Sequence, residues 1–181
     1  MVVLGLGSNI GDRLKNLNAA LKEISVFCKL KEISRVYSSD AQLLENAPKD
    51  WNKEFLNIAV KIETELSAPQ ILTKIKEAEG KLGREKRNEK WSPRLIDIDI
   101  LCMGNLVMEG ELSVPHKHLL ERPFALWPLT DVAPEWQYPV AGKNFGKAAK
   151  DLAKNFGDFP ACTTQNGNLY NTMRTGQKLG A

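Results

Sequence analysis

Cysteine is scarce in this chain. Cys28, Cys102 and Cys162 form an odd, widely spaced set, and no C-x-x-C occurs. That argues against a disulfide framework and against a structural zinc site. Free thiols in a reducing compartment are expected. Long apolar runs are missing too: none approaches the ~20 residues that a membrane span needs. The first residues, "MVVLGLGSNIGDR", lack the basic flank and the long apolar core of a secretion signal. The expected setting is the cytoplasm, with no membrane partner. A large excess of one charge is also absent. A net charge of +3 over 181 residues is too small to argue for nucleic acid by itself.

What is present is ordinary for a globular domain: 43% hydrophobic and 26% charged residues, in a chain long enough to bury a core. One domain is expected over residues 1–157. The stretch 158–181 is polar and rich in Gly, Asn and Thr, and is expected to be a flexible tail.

Residues 2–7, "VVLGLG", read as a strand with Val2, Leu4 and Leu6 on one face and Val3, Gly5 and Gly7 on the other. Leu14, Leu17, Leu21 and Ile24 follow at helical spacing. Residues 30–37 read as a second strand. The third, "FLNIAVKIET" over 55–64, alternates cleanly. A second helix begins at "SAPQ", where Ser67 and Gln70 have capping-box spacing and Pro69 suits the first turn. Ile71, Ile75, Ala78 and Leu82 are its buried stripe, and Gly83 ends it. "WSPRLIDIDIL" (91–101) supplies the fourth strand. The order β-α-β-β-α-β predicts an α+β fold with a ferredoxin-like sheet and both helices on one face. Helical segments are expected at 116–133 and 144–156. Trp127 and Trp136 belong to the core. Two long connections, 38–54 and 83–94, are candidates for functional loops.

The same alternation rule on three strands gathers Gly5, Gly7, Phe55, Asn57, Asp97 and Asp99 on the face away from the helices. A bulge would shift this register. Asp97 and Asp99 are two residues apart, so their Cα atoms are about 6.6–6.8 Å apart. At an effective dielectric of about 20 their charges repel by roughly 2.4 kcal/mol, and desolvation adds to that. A positive partner is required. Mg²⁺ suits one or two carboxylates completed by substrate phosphates, and two ions about 3.5–4 Å apart suit in-line phosphoryl displacement. The plain alternative is an ion cluster with Arg94 or Lys90. Arg84, Lys86, Arg87, Lys90 and Arg94 crowd one loop with Trp91 and could supply charge-assisted bonds to phosphate. His116 and His118 lack a third ligand at metal spacing, and read as surface or phosphate-contacting residues.

"GLGSNIGD", "FLNIAVKIET", "GREKRNEKWSPRLIDIDIL" and "VPHKHLLERPFALWPLTDVAPE" together resemble the 6-hydroxymethyl-7,8-dihydropterin pyrophosphokinases, in order from about Val2 to Trp136. The resemblance implies transfer of the β,γ-diphosphate of ATP to the pterin hydroxymethyl group in folate biosynthesis, releasing AMP. It implies two Mg²⁺ ions as cofactor, held by Asp97 and Asp99, and a catalytic set of Asp97, Asp99, Arg84 and Arg94. ATP would meet Glu79, Lys86, Lys90, Arg94, Ile100, Ser113, His116, Lys117 and Arg122. The pterin would meet Phe55, Asn57, Trp91, Asp97 and Phe124. Small-molecule substrates, no nucleic acid and a monomer are expected. The chain departs from the family at Lys86 and Lys90, where Arg is usual and where Lys cannot make a bidentate fork. It departs also at Lys117, Ser92 and Ser39-Asp40-Ala41, the last leading into a longer loop.

Two other classes use part of the same residues. An RNA-binding module on such a sheet needs exposed aromatics on its central strands, where this chain has Gly5, Gly7, Asp97 and Asp99 and only Phe55. A nuclease or other phosphotransferase would share the Mg²⁺ but not the pterin requirement.

Overall fold

The computed structural model describes residues 1–43, 45–83 and 92–158. The expectations for Arg84, Lys86, Arg87, Lys90 and Trp91, and for residues 159–181, lie outside them.

Strand β1 (Val2–Ser8) occupies the centre of an antiparallel sheet, between β4 (Phe55–Glu63) and β5 (Asp97–Met103). The order is β2-β4-β1-β5, with β2 at Lys29–Ile33. This is the ferredoxin-like arrangement predicted by the element order. Helices α1 (Arg13–Ser25) and α2 (Ala68–Lys81) cover one face. Asp12 caps α1 by accepting from the Lys15 N–H at 3.0 Å. Ser67 and Gln70 form the expected capping box, and α2 stops before Gly83 at φ +83°. Leu4, Ile58, Ile75, Ile98 and their neighbours form the core beneath these helices.

Three features differ from the sequence reading. The expected strand at 30–37 is two strands, β2 and a short β3 (Tyr37–Ser39), both paired to β4. Ser34 causes the break. Its Oγ accepts from the Ala59 N–H at 2.8 Å and donates to the Arg35 carbonyl at 2.7 Å, a side-chain competitor for the ladder. The Arg35 N–H then turns to Asp131 instead of β4.

Secondly, the face away from α1 and α2 is only half open. Helices α3 (Pro123–Val132) and α4 (Ala149–Ala153) pack over Val3, Ala59, Leu101 and Cys102 in a second core. The segment 116–133 is thus a short 3₁₀ turn at Leu119–Glu121 followed by α3. The helix expected over 144–156 is confined to α4 and the 3₁₀ turn Lys154–Phe156, because Ala148 is taken up in a bridge with Gln137. Trp136 is buried and donates its indole N–H to the Gly104 carbonyl at 2.7 Å, while Trp127 is half-buried.

Thirdly, the β1–β5 register shifts after the aspartates: Leu4 faces Ile100 and Val3 faces Cys102, leaving Leu101 as a bulge. Parity therefore holds at Asp97 and Asp99 and reverses beyond them.

Candidate active site

A cavity of about 560 Å³ opens on the uncovered half of that face, a volume suited to a small-molecule site. Its floor is Gly5 and Gly7, flanked by Asn57 from β4 and by Asp97 and Asp99 from β5. A side chain at either glycine would crowd its neighbours. A β-carbon on Gly5 would lie 2.9 Å from Leu101 Cδ2, and one on Gly7 would lie 3.2 Å from Asn57 Oδ1 and 3.3 Å from Phe55 Cδ1.

The bulge at Leu101 has a second effect. Its carbonyl accepts from the His116 N–H at 2.9 Å, which seats His116 beside Asp99, with Nε2 3.9 Å from Oδ2. The His118 N–H donates to His116 Nδ1 at 3.2 Å. A neutral His116 therefore carries its proton on Nε2, facing the cavity. Burial, with help from Arg122 and His118, lowers its pKa to about 4, so it is neutral at pH 7.

Asp97 pairs with the Arg94 guanidinium at 3.1 Å. That is half of the plain ion-cluster alternative. Asp99 is not compensated in this way: burial first, then the charges of Asp97 and Glu79, raise its pKa to about 7. A pair of carboxylates that resists full ionisation is a cation site in waiting. Among the described residues no group of three or more His, Cys, Asp or Glu could hold a metal unaided. The pair fits a hard cation such as Mg²⁺, which completes its shell with substrate phosphates and water.

Cationic groups and one neutral hydrogen-bond donor, His116, surround the pair. Arg94, His116, Lys117 and Arg122 all line the cavity, as expected, and so does Lys76, which periodicity alone had left on a helix surface. Phe55, Asn57 and Phe124 line the same cavity, as expected, with the Arg122 guanidinium 5.8 Å from the centre of the Phe124 ring, and they are joined by Ser39, Asp40 and Gln42 from the 38–54 connection. The Asn57 Nδ2 donates to Ser39 Oγ at 3.0 Å and to the Tyr37 carbonyl at 3.4 Å. Its Oδ1 is left over the bare Gly7 as an acceptor.

Three expected contacts are placed elsewhere. The Glu79 side chain is buried, accepting from the Ile98 N–H and from Lys76 Nζ, both at 2.9 Å, and does not line the cavity. It ties α2 to β5. The Ile100 side chain lies in the core under α1 and α2, because its parity opposes that of the aspartates. Ser113 is half-buried and also does not line the cavity.

One residue of the "GSNIGD" turn joins the loops around the site. Asn9 is 4% exposed. Its Oδ1 accepts from the Arg94 N–H at 2.8 Å, its own N–H donates to the Arg94 carbonyl at 3.3 Å, and its Nδ2 donates to the Lys53 carbonyl at 3.3 Å. A buried-polar residue type inside an otherwise ordinary turn was the only sequence signal for it.

Comparisons with known proteins bear on the family and the fold. The family described as 7,8-dihydro-6-hydroxymethylpterin-pyrophosphokinase (HPPK) matches residues 3–134. A 2-amino-4-hydroxy-6-hydroxymethyldihydropteridine pyrophosphokinase of Aquifex aeolicus is 40% identical over 143 residues, covering 78% of this chain and 86% of the relative. One from Synechocystis is 36% identical over 142 residues, covering 78% and 70%. A folate synthesis bifunctional protein of Chlamydia caviae is 34% identical, and the match spans 82% of this chain but only 35% of that one. Among solved structures, the wild-type HPPK-DHPS of Plasmodium falciparum superposes with a TM-score of 0.61 at 18% identity, covering 86% of this chain and 44% of that structure. That likeness concerns the fold. With the family matched over most of its length, the chain belongs to the 7,8-dihydro-6-hydroxymethylpterin-pyrophosphokinases.

Proposed function

We infer that the chain transfers the β,γ-diphosphate of ATP to the hydroxymethyl group of 6-hydroxymethyl-7,8-dihydropterin, yielding the pterin diphosphate and AMP for folate synthesis. The observation that carries this reading is the position of Asp97 and Asp99. They share one cavity with side chains suited to a polyanion (Arg94, His116, Lys117, Arg122) and with two aromatic rings and an amide acceptor (Phe55, Phe124, Asn57).

Asp97 and Asp99 would hold two Mg²⁺ ions against the triphosphate. The bound metal supplies neutralisation of phosphate charge and a lowered pKa for the attacking alcohol. The remaining work belongs to side chains. Arg94 and Arg122 add charge-assisted bonds to phosphate oxygens. Neutral His116 donates from Nε2 without adding a charge that would compete with the metal. Phe55 and Phe124 orient the pterin ring, and Asn57 Oδ1 accepts from its N–H edge. No side chain is required as a strong base, since such transfers rest mainly on positioning and charge stabilisation. By resemblance, Arg84, Lys86 and Lys90 would meet the nucleotide, Trp91 would meet the pterin, and the loop that carries them would close over both substrates.

The substrates are small molecules. The carboxylate pair and bare glycines at the sheet face disfavour a nucleic-acid backbone there. No described helix is long and apolar enough to cross a membrane. A cytoplasmic monomer, with its domain at 1–157 and a separate tail, is the organisation we propose.

The test is AMP release from ATP and Mg²⁺ with and without the pterin. AMP should appear only with the pterin, and Asp97→Ala or Asp99→Ala should lose nearly all turnover while remaining folded. ADP as product, or turnover indifferent to the pterin, would overturn the substrate assignment. Near-normal rates in either variant would overturn the metal assignment.

A further inference from the structure

The two walls of the pterin end come from different layers. Phe124 and Ala125 lie at the start of α3, whereas Asn57 is on β4 and is held in place by β3. A polar cluster joins these layers at the far end of α3, about 10 Å along the helix from Phe124. Asp131, with a side chain 14% exposed, accepts the backbone N–H of Arg35 at 2.9 Å. It accepts the Arg35 guanidinium at 2.6–3.2 Å and the Tyr37 hydroxyl at 3.0 Å. The guanidinium also donates to the Tyr37 hydroxyl at 2.9 Å and lies 5.6 Å from the centre of its ring. Tyr37 is fully buried, pairs with Asn57 across the sheet, and offers its carbonyl to the Asn57 amide.

We propose that Asp131, Arg35 and Tyr37 act as a positioning brace. They fix β3 against α3, and so set the Asn57 amide and the Phe124 ring at the separation and angle the acceptor substrate requires. None of the three lines the cavity, so their effect on substrate is exerted through Asn57 and Phe124.

Magnitudes favour geometry over stability as the purpose. The Arg35 side chain is 54% exposed, and ion pairs with an exposed partner contribute little to folding. A guanidinium forked on a carboxylate is, however, strongly directional. Burial and the neighbouring Asp131 charge raise the Tyr37 pKa, which keeps its hydroxyl a donor throughout the working pH range. The brace also occupies the break between β2 and β3, where the strand leaves the ladder and needs another hold.

This inference rests on Phe55, Asn57 and Phe124 being the pterin slot. The experiment measures KM for the pterin, KM for ATP and kcat, together with urea unfolding, for Asp131→Asn, Arg35→Lys and Tyr37→Phe in the full chain, with Asn57→Ala alongside. The expected result is a rise of about tenfold in pterin KM for Asp131→Asn, with ATP KM and kcat nearly unchanged. Tyr37→Phe should show a smaller rise in the same direction. Arg35→Lys keeps the charge but not the fork, and should fail to restore normal pterin KM. If Asn57→Ala raises pterin KM and the three brace variants do not, the brace is overturned and the slot stands. If Asn57→Ala has no effect, the slot itself is wrong and the brace falls with it. Loss of stability in the brace variants with both KM values unchanged would reduce the cluster to a structural tie and overturn the proposal. Should Asp131→Asn fail to fold, the two milder variants still decide the matter.

Discussion

Asp99 is kept where a carboxylate is costly. Burial and the charge of Asp97 lift its pKa from 3.8 to about 7, so the folded state binds its proton more tightly than the unfolded chain does. Without metal, the favourable contribution is complete below pH 3.8 and is lost as pH rises towards about 7. Asp99→Asn removes that loss. Because the Asp99 side chain is 46% exposed, solvent screening trims that loss, and the variant should raise the melting temperature of the metal-free protein only slightly at pH 7.5, with little difference near pH 4, while abolishing turnover. Thermal melts at both pH values check this; a lower melting temperature for Asp99→Asn at pH 7.5 would contradict it. Adding Mg²⁺ and ATP should narrow the gap by stabilising the wild type. The aspartates, the two glycines, Phe55 and Asn57 were all legible by alternation, because a strand's parity assigns its side chains without further information. Asn9 was not. Its partners are the backbones of Arg94 and Lys53, and no periodicity connects a turn to two distant loop ends.

At the scale of elements, helix α2 and strand β5 meet through one buried carboxylate. Glu79 is 1% exposed, and its Oε1 satisfies the Ile98 N–H. Glu79→Ala leaves that N–H without its acceptor, at a cost of about 1–3 kcal/mol. Urea unfolding should register the loss. Glu79→Gln keeps an oxygen in place and should recover most of it. If instead Glu79→Ala left stability intact and raised KM for ATP, the nucleotide contact implied by family resemblance would be right after all. The capping box, the stripe of α2 and the alternation of β4 made the order of elements readable before any coordinates. The break at Ser34 and the bulge at Leu101 were hidden for a common reason. Each is accompanied by a hydrogen bond to a residue far along the chain, Ala59 in the first case and His116 in the second, and local pattern carries no trace of such a bond.

The described residues form a single sheet with a core on each side. Ile75 of α2 and Ile98 of β5 belong to one core, whereas Leu126 and Leu129 of α3 belong to the other. The second core was the main thing sequence did not disclose, since α3 is apolar nearly all round and α4 is too short to show a period. Its position matters for function, because α3 brings Phe124 and Arg122 to the cavity while closing the rest of that face. Both cores share β1, β4 and β5, so neither can be lost without exposing the other side of the same strands. Ile75→Ala and Leu129→Ala remove fully buried side chains and should each cost about 2–5 kcal/mol. Each should nonetheless unfold in one transition, with calorimetric and van't Hoff enthalpies in agreement. Two resolved transitions in Leu129→Ala would mean that α3 and α4 form a separable layer. The cavity would then be assembled from a stable sheet and a detachable wall, and pterin binding would fail at a lower temperature than the fold. A single transition would mean that the site is as stable as the sheet on which it is built.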